Sequence, residues 1–225
     1  MNTPVRAIIT GATGMVGEGV LHMCLQDPAV EAVLIINRKP LGLVHPKLKE
    51  IIHKDFFDLS AIEPQLVGYN ACYFCLGVSS VGMKNEEYYR LTYTLTMHVG
   101  ETLSRLNPDM TFCYVSGAGT RSDEQGSHWA RTKGKTENDL RKLPFKAFYA
   151  FRPGFIKAIK GLHNTQPLYK YVSWMYPIGR ALYPNGFNTL QEIGLAMIHV
   201  TGGDYQKYII EGKDITTLAN ERAGK

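Results

Sequence analysis

The sequence has little of what marks secreted, membrane-spanning or metal-binding proteins. Its first residues run through a short apolar stretch into glycines, with no apolar signal region and cleavage site. No uninterrupted apolar stretch approaches the length of a membrane span. The seven histidines show no metal-ligand spacing. We therefore expect a cytoplasmic protein that binds no metal and does not act at a membrane.

Cysteine is also scarce, with four residues in 225. Cys72 and Cys75 have the spacing of a redox pair, but they lie inside an apolar, strand-like run. Residues three apart in a strand point to opposite faces, and reactive cysteine pairs usually stand at a helix N-terminus. We therefore predict buried, reduced thiols.

Charge of one sign is not concentrated anywhere, since 25 basic and 20 acidic residues are scattered along the chain. A nucleic-acid partner is therefore not expected, whereas a small-molecule substrate is. Hydrophobic residues make up 44% and charged residues 20%, which is typical of a chain that folds throughout. We predict one domain over residues 1–225, with a small substrate-side lobe over residues 155–205.

The first 150 residues alternate short apolar runs with longer segments of helical period, the pattern of β-α-β units. The predicted strands are Val5–Thr10, Ala32–Ile36, Glu50–His53, Ala71–Leu76, Thr111–Ser116 and Ala147–Phe151. The predicted helices are Met15–Gln26, Glu86–Leu106 and His128–Lys142. This order predicts an α/β fold, a doubly wound parallel sheet flanked by helices, with a small C-terminal helical lobe.

The character of the sequence changes after Arg152-Pro153-Gly154. An aromatic and apolar stretch, Leu168–Tyr183, is either a pair of helices packed on the sheet or a lid over a substrate. Aromatic stripes usually belong to cores, which favours the first interpretation. A short helix over Leu190–Val200 and a last strand over Tyr208–Ile210 complete the prediction.

A glycine loop follows the first strand directly and opens the first helix. It reads Thr10-Gly11-Ala12-Thr13-Gly14-Met15-Val16-Gly17. Gly11 permits a tight turn, Gly14 lets a pyrophosphate approach the backbone, and Gly17 lets helix and strand pack closely. The helix N-terminus then offers unpaired N–H groups to phosphates. The alternative, glycines that only make a turn, is weakened by this context.

The residue after the second strand distinguishes between two dinucleotides. Arg38 stands there, 21 positions beyond Gly17, followed by Lys39. A site for NAD usually has a carboxylate at this place, which bonds the ribose hydroxyls, whereas an arginine pairs with a 2′-phosphate. We therefore predict NADP as the cofactor. The alternative is that both cations only keep a surface loop hydrated.

The spacing Thr-Gly-x-x-Gly-x-x-Gly resembles that of the short-chain dehydrogenase/reductase superfamily. Its extended and atypical branch, with the NAD-dependent epimerases and dehydratases, is the most similar. The resemblance implies a Rossmann fold and further site residues. These are Asp58 at the adenine edge, Leu76 and Gly77 beside the adenine ribose, Ser116 as the catalytic serine, and Arg152, Pro153 and Gly154 against the nicotinamide.

One residue departs from the family pattern. The family's chemistry uses a Tyr-x-x-x-Lys pair one helical turn apart, in which the lysine lowers the pKa of the phenol. Lys133 matches the lysine, but the residue four positions before it is Trp129. An indole N–H cannot titrate near neutral pH. Lys133 is therefore expected to bind the nicotinamide ribose, and the proton donor stays unassigned.

Three explanations of this departure stay open. His128, Ser127, Tyr89 or Tyr93 supplies the proton, or water does, or the protein performs no turnover. The first two correspond to an NADP(H)-dependent oxidoreductase acting on a small carbonyl-type substrate. The third corresponds to a non-catalytic module that senses NADP(H). The long helix Glu86–Leu106, with an amphipathic face, makes a homodimer a further expectation.

Overall fold

The structure is a computed structural model. It describes residues 3–157, 176, 179, 186–202 and 205–224. The strands are β1 Val5–Thr10, β2 Val30–Asn37, β3 Leu48–Ile52, β4 Ala71–Phe74, β5 Thr111–Val115, β6 Ala147–Arg152, β7 Phe155–Lys157, β8 Phe187–Thr189 and β9 Ile209–Glu211. The helices are α1 Met15–Gln26, α2 Glu63–Leu66, α3 Asn85–Tyr89, α4 Leu95–Leu106, α5 His128–Leu140, α6 Leu190–Gly202 and α7 Gly212–Arg222.

Seven of these strands form one sheet, in the order β3-β2-β1-β4-β5-β6-β9, and all their pairings are parallel. The order reverses at β1, where β2 leaves on one side and β4 on the other. In such sheets the crevice beyond the carboxyl ends of the strands at this switch point is where ligands bind. The predicted doubly wound fold is confirmed.

Alternation along the buried strands divides the core into two layers. In β1, Ala7 and Ile9 pack into one hydrophobic cluster with α1, α6 and α7, while Ile8 packs into a second cluster with α2, α4 and α5. All three side chains are fully buried. A strand covered on both faces needs an almost continuous apolar run, which is why Val5–Thr10 was recognisable in the sequence.

The helix predicted over Glu86–Leu106 is present, but its middle is wider than an α-helix. Arg90–Thr94 forms a π-helical turn between α3 and α4. A second difference lies near the C-terminus, where the prediction had no helix and α7 occurs. Its start has a capping box, in which the side chains of Glu211 and Asp214 bond each other's backbone N–H groups.

The predicted lobe over residues 155–205 is described only in part. Leu168–Tyr183, predicted as a helical pair or a lid, lies outside the described residues apart from positions 176 and 179. Within the described part, β7 and β8 pair in a small parallel sheet of their own. α6 packs against α1 instead, because Gly19 and Gly194 leave no Cβ between the helices: one at Gly194 would lie 2.7 Å from Met23.

Candidate functional site

A cleft of about 230 Å³ opens where β1, β2 and β4 end. Most of its lining comes from the segments that the sequence analysis singled out. The residues are Gly11, Thr13, Gly14, Ile36, Asn37, Arg38, Phe56, Cys75, Leu76 and Gly77. The structure thus brings the glycine loop, the predicted phosphate-binding arginine and the end of β4 to one place, at the switch point of the sheet.

The glycine loop has a geometry that side chains would prevent. Gly11 has a φ of 72°, in the left-handed region, and a Cβ there would lie 2.7 Å from the carbonyl oxygen of Cys75. A Cβ at Gly17 would overlap the carbonyl oxygen of Gly11. The N–H of Gly14 donates to that same oxygen at 2.9 Å. The loop is therefore a tight turn pressed between α1 and β4.

The N-terminus of α1 points into this cleft without a side-chain cap. Gly14 is the N-cap, and no side chain caps the helix among the residues that the structure describes. Thr13 and Gly14 are exposed, and Met15 and Val16 are half-buried. The first N–H groups of a helix need partners and carry a partial positive charge, so this end fits an anion such as a pyrophosphate. Thr10, just before the loop, is fully buried.

Arg38 and Lys39 are exposed at the rim of the cleft, directly after β2. Arg38 has no hydrogen bond or ion pair with any side chain in the described ranges. No carboxylate lines the cleft there. The rim is therefore positively charged, as a 2′-phosphate would require.

Asp58 lies close to this cleft but is not part of its lining. Its side chain accepts a hydrogen bond from the N–H of Ser60 at 2.9 Å, at the start of a short 3₁₀ turn. Hydrogen bonds from Ser60 hold the pKa of Asp58 below its usual range. Phe56, two residues before Asp58, lines the cleft instead. Phe56 was not among the predicted site residues.

A second group of predicted residues surrounds the end of β5. Ser116 is 8% exposed, its hydroxyl shares a hydrogen bond of 2.9 Å with Thr120, and its N–H donates to the carbonyl of Phe151. Lys133 donates to the carbonyl oxygen of Val115 at 3.3 Å. Lys133 thus bonds the residue directly before Ser116, so the fold brings Ser116 and Lys133, which are far apart in sequence, together at the end of β5.

Burial gives Lys133 an unusual acidity. Loss of water around the ammonium group lowers the pKa of Lys133 to about 8, although the carboxylate of Glu137 acts in the opposite direction. Glu137 follows Lys133 by one helical turn and is fully buried. The ammonium group also lies 5.3 Å from the ring centroid of Tyr114. Lys133 therefore loses its proton at a lower pH than an ordinary lysine.

Arg152 has its side chain directed into the protein. Its guanidinium group donates to both carboxylate oxygens of Glu137 and to the hydroxyl of Ser122 at 2.6 Å. Arg152 is 9% exposed and Glu137 is not exposed. The backbone after Arg152 is itself packed: the carbonyl of Pro153 accepts from the N–H of Ala118 at 3.0 Å, and a Cβ on Gly154 would overlap the carbonyl oxygen of Gly186. Sequence reasoning missed Glu137, whose only signal was its helical spacing from Lys133.

Trp129 occupies the position of the family's tyrosine. A Cβ on Gly119, in the turn that follows β5, would lie 3.1 Å from the indole ring of Trp129. Gly119 has a φ of 87°, which L side chains rarely adopt. The indole therefore covers the turn that carries Ser116 and Thr120, with no titratable group of its own.

The other candidate proton donors lie in different surroundings. The hydroxyl of Tyr93 donates to Asp139 at 2.8 Å, and burial together with that carboxylate raises the pKa of Tyr93. Tyr89 packs on Tyr93 at 4.8 Å between ring centroids. Asp139 lies two residues from Glu137, so it projects from the other side of α5. His128, whose ring centroid is 6.0 Å from that of Tyr88, lies at the start of α5.

The four thiols lie in the described part of the chain and are free. Cys72, in β4, is buried in one core layer, and Cys75, the residue after β4, is only half-buried, against the other layer, so the predicted burial is complete for Cys72 alone of this pair. Burial raises the pKa of both thiols, so neither is a thiolate near neutral pH. In the described ranges, no three His, Cys, Asp or Glu side chains are grouped as metal ligands, and no helix is long and apolar enough to cross a membrane.

Comparison with solved structures identifies the fold. The UDP-N-acetylglucosamine 4-epimerase of Methanobrevibacter ruminantium has a TM-score of 0.67 at 14% identity, over 99% of this chain and 83% of that one. The uronate dehydrogenase of Agrobacterium tumefaciens has a TM-score of 0.65 at 14% identity, over 92% of this chain and 76% of that one. The chain has the fold of these enzymes, a doubly wound Rossmann fold. The predicted resemblance is confirmed at the level of the fold.

A third solved structure is a complex with a nicotinamide cofactor. MoeE5, in complex with UDP-glucuronic acid and NAD, has a TM-score of 0.66 at 15% identity, over 97% of this chain and 82% of that one. No family model matches the sequence.

Curated relatives match the sequence at 21–28% identity. The mitochondrial proteins named FMP52 from Aspergillus clavatus and Meyerozyma guilliermondii are 28% and 24% identical, over 66% and 68% of this chain. The chain spans 65% of the length of each of them. The FMP52 protein of Saccharomyces cerevisiae is 21% identical over 96% of both chains. Because these relatives are named mitochondrial, the predicted cytoplasmic location is wrong: a sequence without a recognisable signal does not reveal a compartment.

Proposed function

We propose that the chain binds NADP(H) at the glycine loop and acts as an oxidoreductase of the atypical short-chain dehydrogenase/reductase type. The observation that carries the proposal is the cleft at the switch point, where the uncapped N-terminus of α1 and the exposed Arg38 line one opening. The helix end suits the pyrophosphate and the arginine suits a 2′-phosphate. Phe56 provides an apolar wall for the adenine ring.

The residues around β5 support a reductase acting on a small carbonyl-type substrate. When bound, NADPH supplies a hydride. Ser116 donates a hydrogen bond to the substrate oxygen, with Thr120 orienting its hydroxyl, and Lys133 donates to the nicotinamide ribose. The backbone of Pro153 and Gly154 would lie on the nicotinamide side of the site, as the family resemblance implies, and Trp129 covers the turn behind the serine.

The cofactor assignment is tested by calorimetric titration with NADPH and NADH. We expect tighter binding of NADPH, and Arg38→Ala should reduce the preference by about tenfold or more, because a charge-assisted pair with phosphate is lost. Arg105→Ala is the control, since Arg105 is exposed, lies near the C-terminal end of α4 and forms an ion pair with Glu63, away from the cleft lining. Equal affinity of the wild-type protein for both cofactors contradicts the assignment.

A second function is favoured by Trp129 itself. With an indole where a phenol is needed, the protein binds NADP(H) without turnover and reports its level to a partner. Incubation with NADPH and a panel of aldehydes, ketones and quinones separates the two functions. Steady oxidation that is lost in Ser116→Ala supports the enzyme. Tight binding of NADPH with no oxidation of it supports the sensor.

A further inference from the structure

The loop that carries Arg38 and Lys39 is short and has both ends fixed. Asn37, at one end, is 3% exposed and lines the cleft. Leu41, at the other end, is half-buried and packs against the core layer of α1. Arg38, Lys39 and Pro40, between the two, are exposed. The position of the two cations therefore depends on what holds Asn37 and Leu41.

A single carboxylate oxygen on the neighbouring strand holds both ends. Oε1 of Glu50, in β3, accepts a hydrogen bond from the side-chain amide of Asn37 at 2.7 Å and from the N–H of Leu41 at 2.9 Å. Glu50 pairs with Ile35 in the register of β2 and β3, and Ile35 lies two residues before Asn37 in β2. Hydrogen bonds to an ionised acceptor are about twice as strong as neutral ones. The loop is therefore closed across Glu50.

A carboxylate is an unexpected neighbour for a phosphate-binding loop. Its negative charge weakens the attraction of any anion bound at Arg38. If Glu50 acted only through its charge, the protein would bind NADPH better when a neutral residue replaces Glu50. If Glu50 acts through position, its effect is kept in any variant that retains an acceptor oxygen in the same place. The two cases make opposite predictions for the same set of variants.

We propose that Glu50 is a specificity-determining residue that acts through position, because it closes the loop on which Arg38 meets the 2′-phosphate. This inference rests on the proposed binding of NADP(H). Glu50 itself touches no part of the cofactor. Without the acceptor oxygen of Glu50, the N–H of Leu41 and the amide of Asn37 lose their hydrogen bonds, and the loop becomes less ordered. Binding of NADPH then has to order Arg38, which reduces the free energy of binding.

The test measures the dissociation constant for NADH divided by that for NADPH, in the wild-type protein and four variants. Glu50→Ala should reduce the ratio about five- to tenfold, by the loss of preorganisation, with little change for NADH. Glu50→Gln keeps an acceptor and should stay within about twofold of the wild type or exceed it. Glu50→Asp keeps the charge on a shorter side chain and should lower the ratio. The matched control is Glu31→Ala, an exposed glutamate in the same sheet.

Each outcome decides the matter. An unchanged ratio in Glu50→Ala, in a protein that prefers NADPH, overturns this inference and leaves the proposed function intact. A ratio that rises in both Glu50→Ala and Glu50→Gln overturns it as well, since charge would then be the cause. If Glu50→Ala does not fold, the comparison of Glu50→Gln with Glu50→Asp decides in the same way. A wild-type protein without preference for NADPH overturns both the cofactor assignment and this inference.

Discussion

The two halves of the candidate site are built from different materials. Around the ends of β1 and β2, the groups offered to a ligand are backbone N–H groups, placed by glycines, and the exposed cation Arg38. Around the ends of β5 and β6, they are side chains held in a buried network that includes Ser116, Lys133, Glu137 and Arg152. In the proposed function the phosphates of the cofactor are bound by the first half and the substrate by the second, so phosphate binding can be kept while the chemistry changes.

The largest change in stability is expected for Glu137→Ala, in the half of the site around β5 and β6. It leaves the charge of Arg152 buried without its partner, which should lower the free energy of unfolding by about 3–5 kcal/mol. Urea denaturation measures this. Asp123→Ala breaks the exposed ion pair with Arg121 and should leave stability nearly unchanged. Equal effects of the two variants would show that burial does not distinguish the second half of the site.

In the first half, Gly17→Ala should have a smaller but clear effect. The added methyl group overlaps the carbonyl oxygen of Gly11, so the loop or the helix must shift, which should cost about 2–3 kcal/mol of stability. Binding of NADPH should weaken with it. Gly77→Ala is the control for stability alone, because a Cβ there meets no atom within 4 Å, while Gly77 lines the same cleft. A Gly17→Ala protein that is as stable as the control would refute the close packing of loop and helix.

Lys133→Met should act in the opposite direction. Because burial lowers the pKa of Lys133 to about 8, the unfolded chain binds more protons than the folded one from about pH 8 up to the ordinary lysine value near 10.4. The free energy of unfolding therefore rises with pH in this window, and below it the buried charge destabilises the fold. Lys133→Met should raise stability at pH 7 by about 1–2 kcal/mol.

Thermal unfolding of both proteins from pH 7 to pH 10 measures this difference. The stability of the Lys133→Met protein should vary less with pH than that of the wild type, and its affinity for NADPH should be lower. A loss of stability at pH 7 would contradict the assignment of Lys133 as a residue retained for function at the expense of the fold.

The sequence predicts the first half of the site better than the second. Gly11 and Gly17 are recognisable because a tight turn between strand and helix restricts which residues fit. Glu50 and Glu137 are not, because their importance arises from contacts with Leu41 and Arg152 that only the folded chain brings together. The π-helical turn over Arg90–Thr94 is equally invisible, since it changes the winding of a helix without changing its apolar pattern.

The packing of α6 and α7 on α1 also affects how the protein is made. Arg222 in α7 forms an ion pair with Asp27, the residue that ends α1, and both helices contribute to the core layer of α1. During synthesis, the glycine loop and α1 leave the ribosome long before residues 190–222. One face of the first β-α-β unit therefore stays uncovered until then, and a nascent chain stopped before α6 exposes that apolar surface to chaperones.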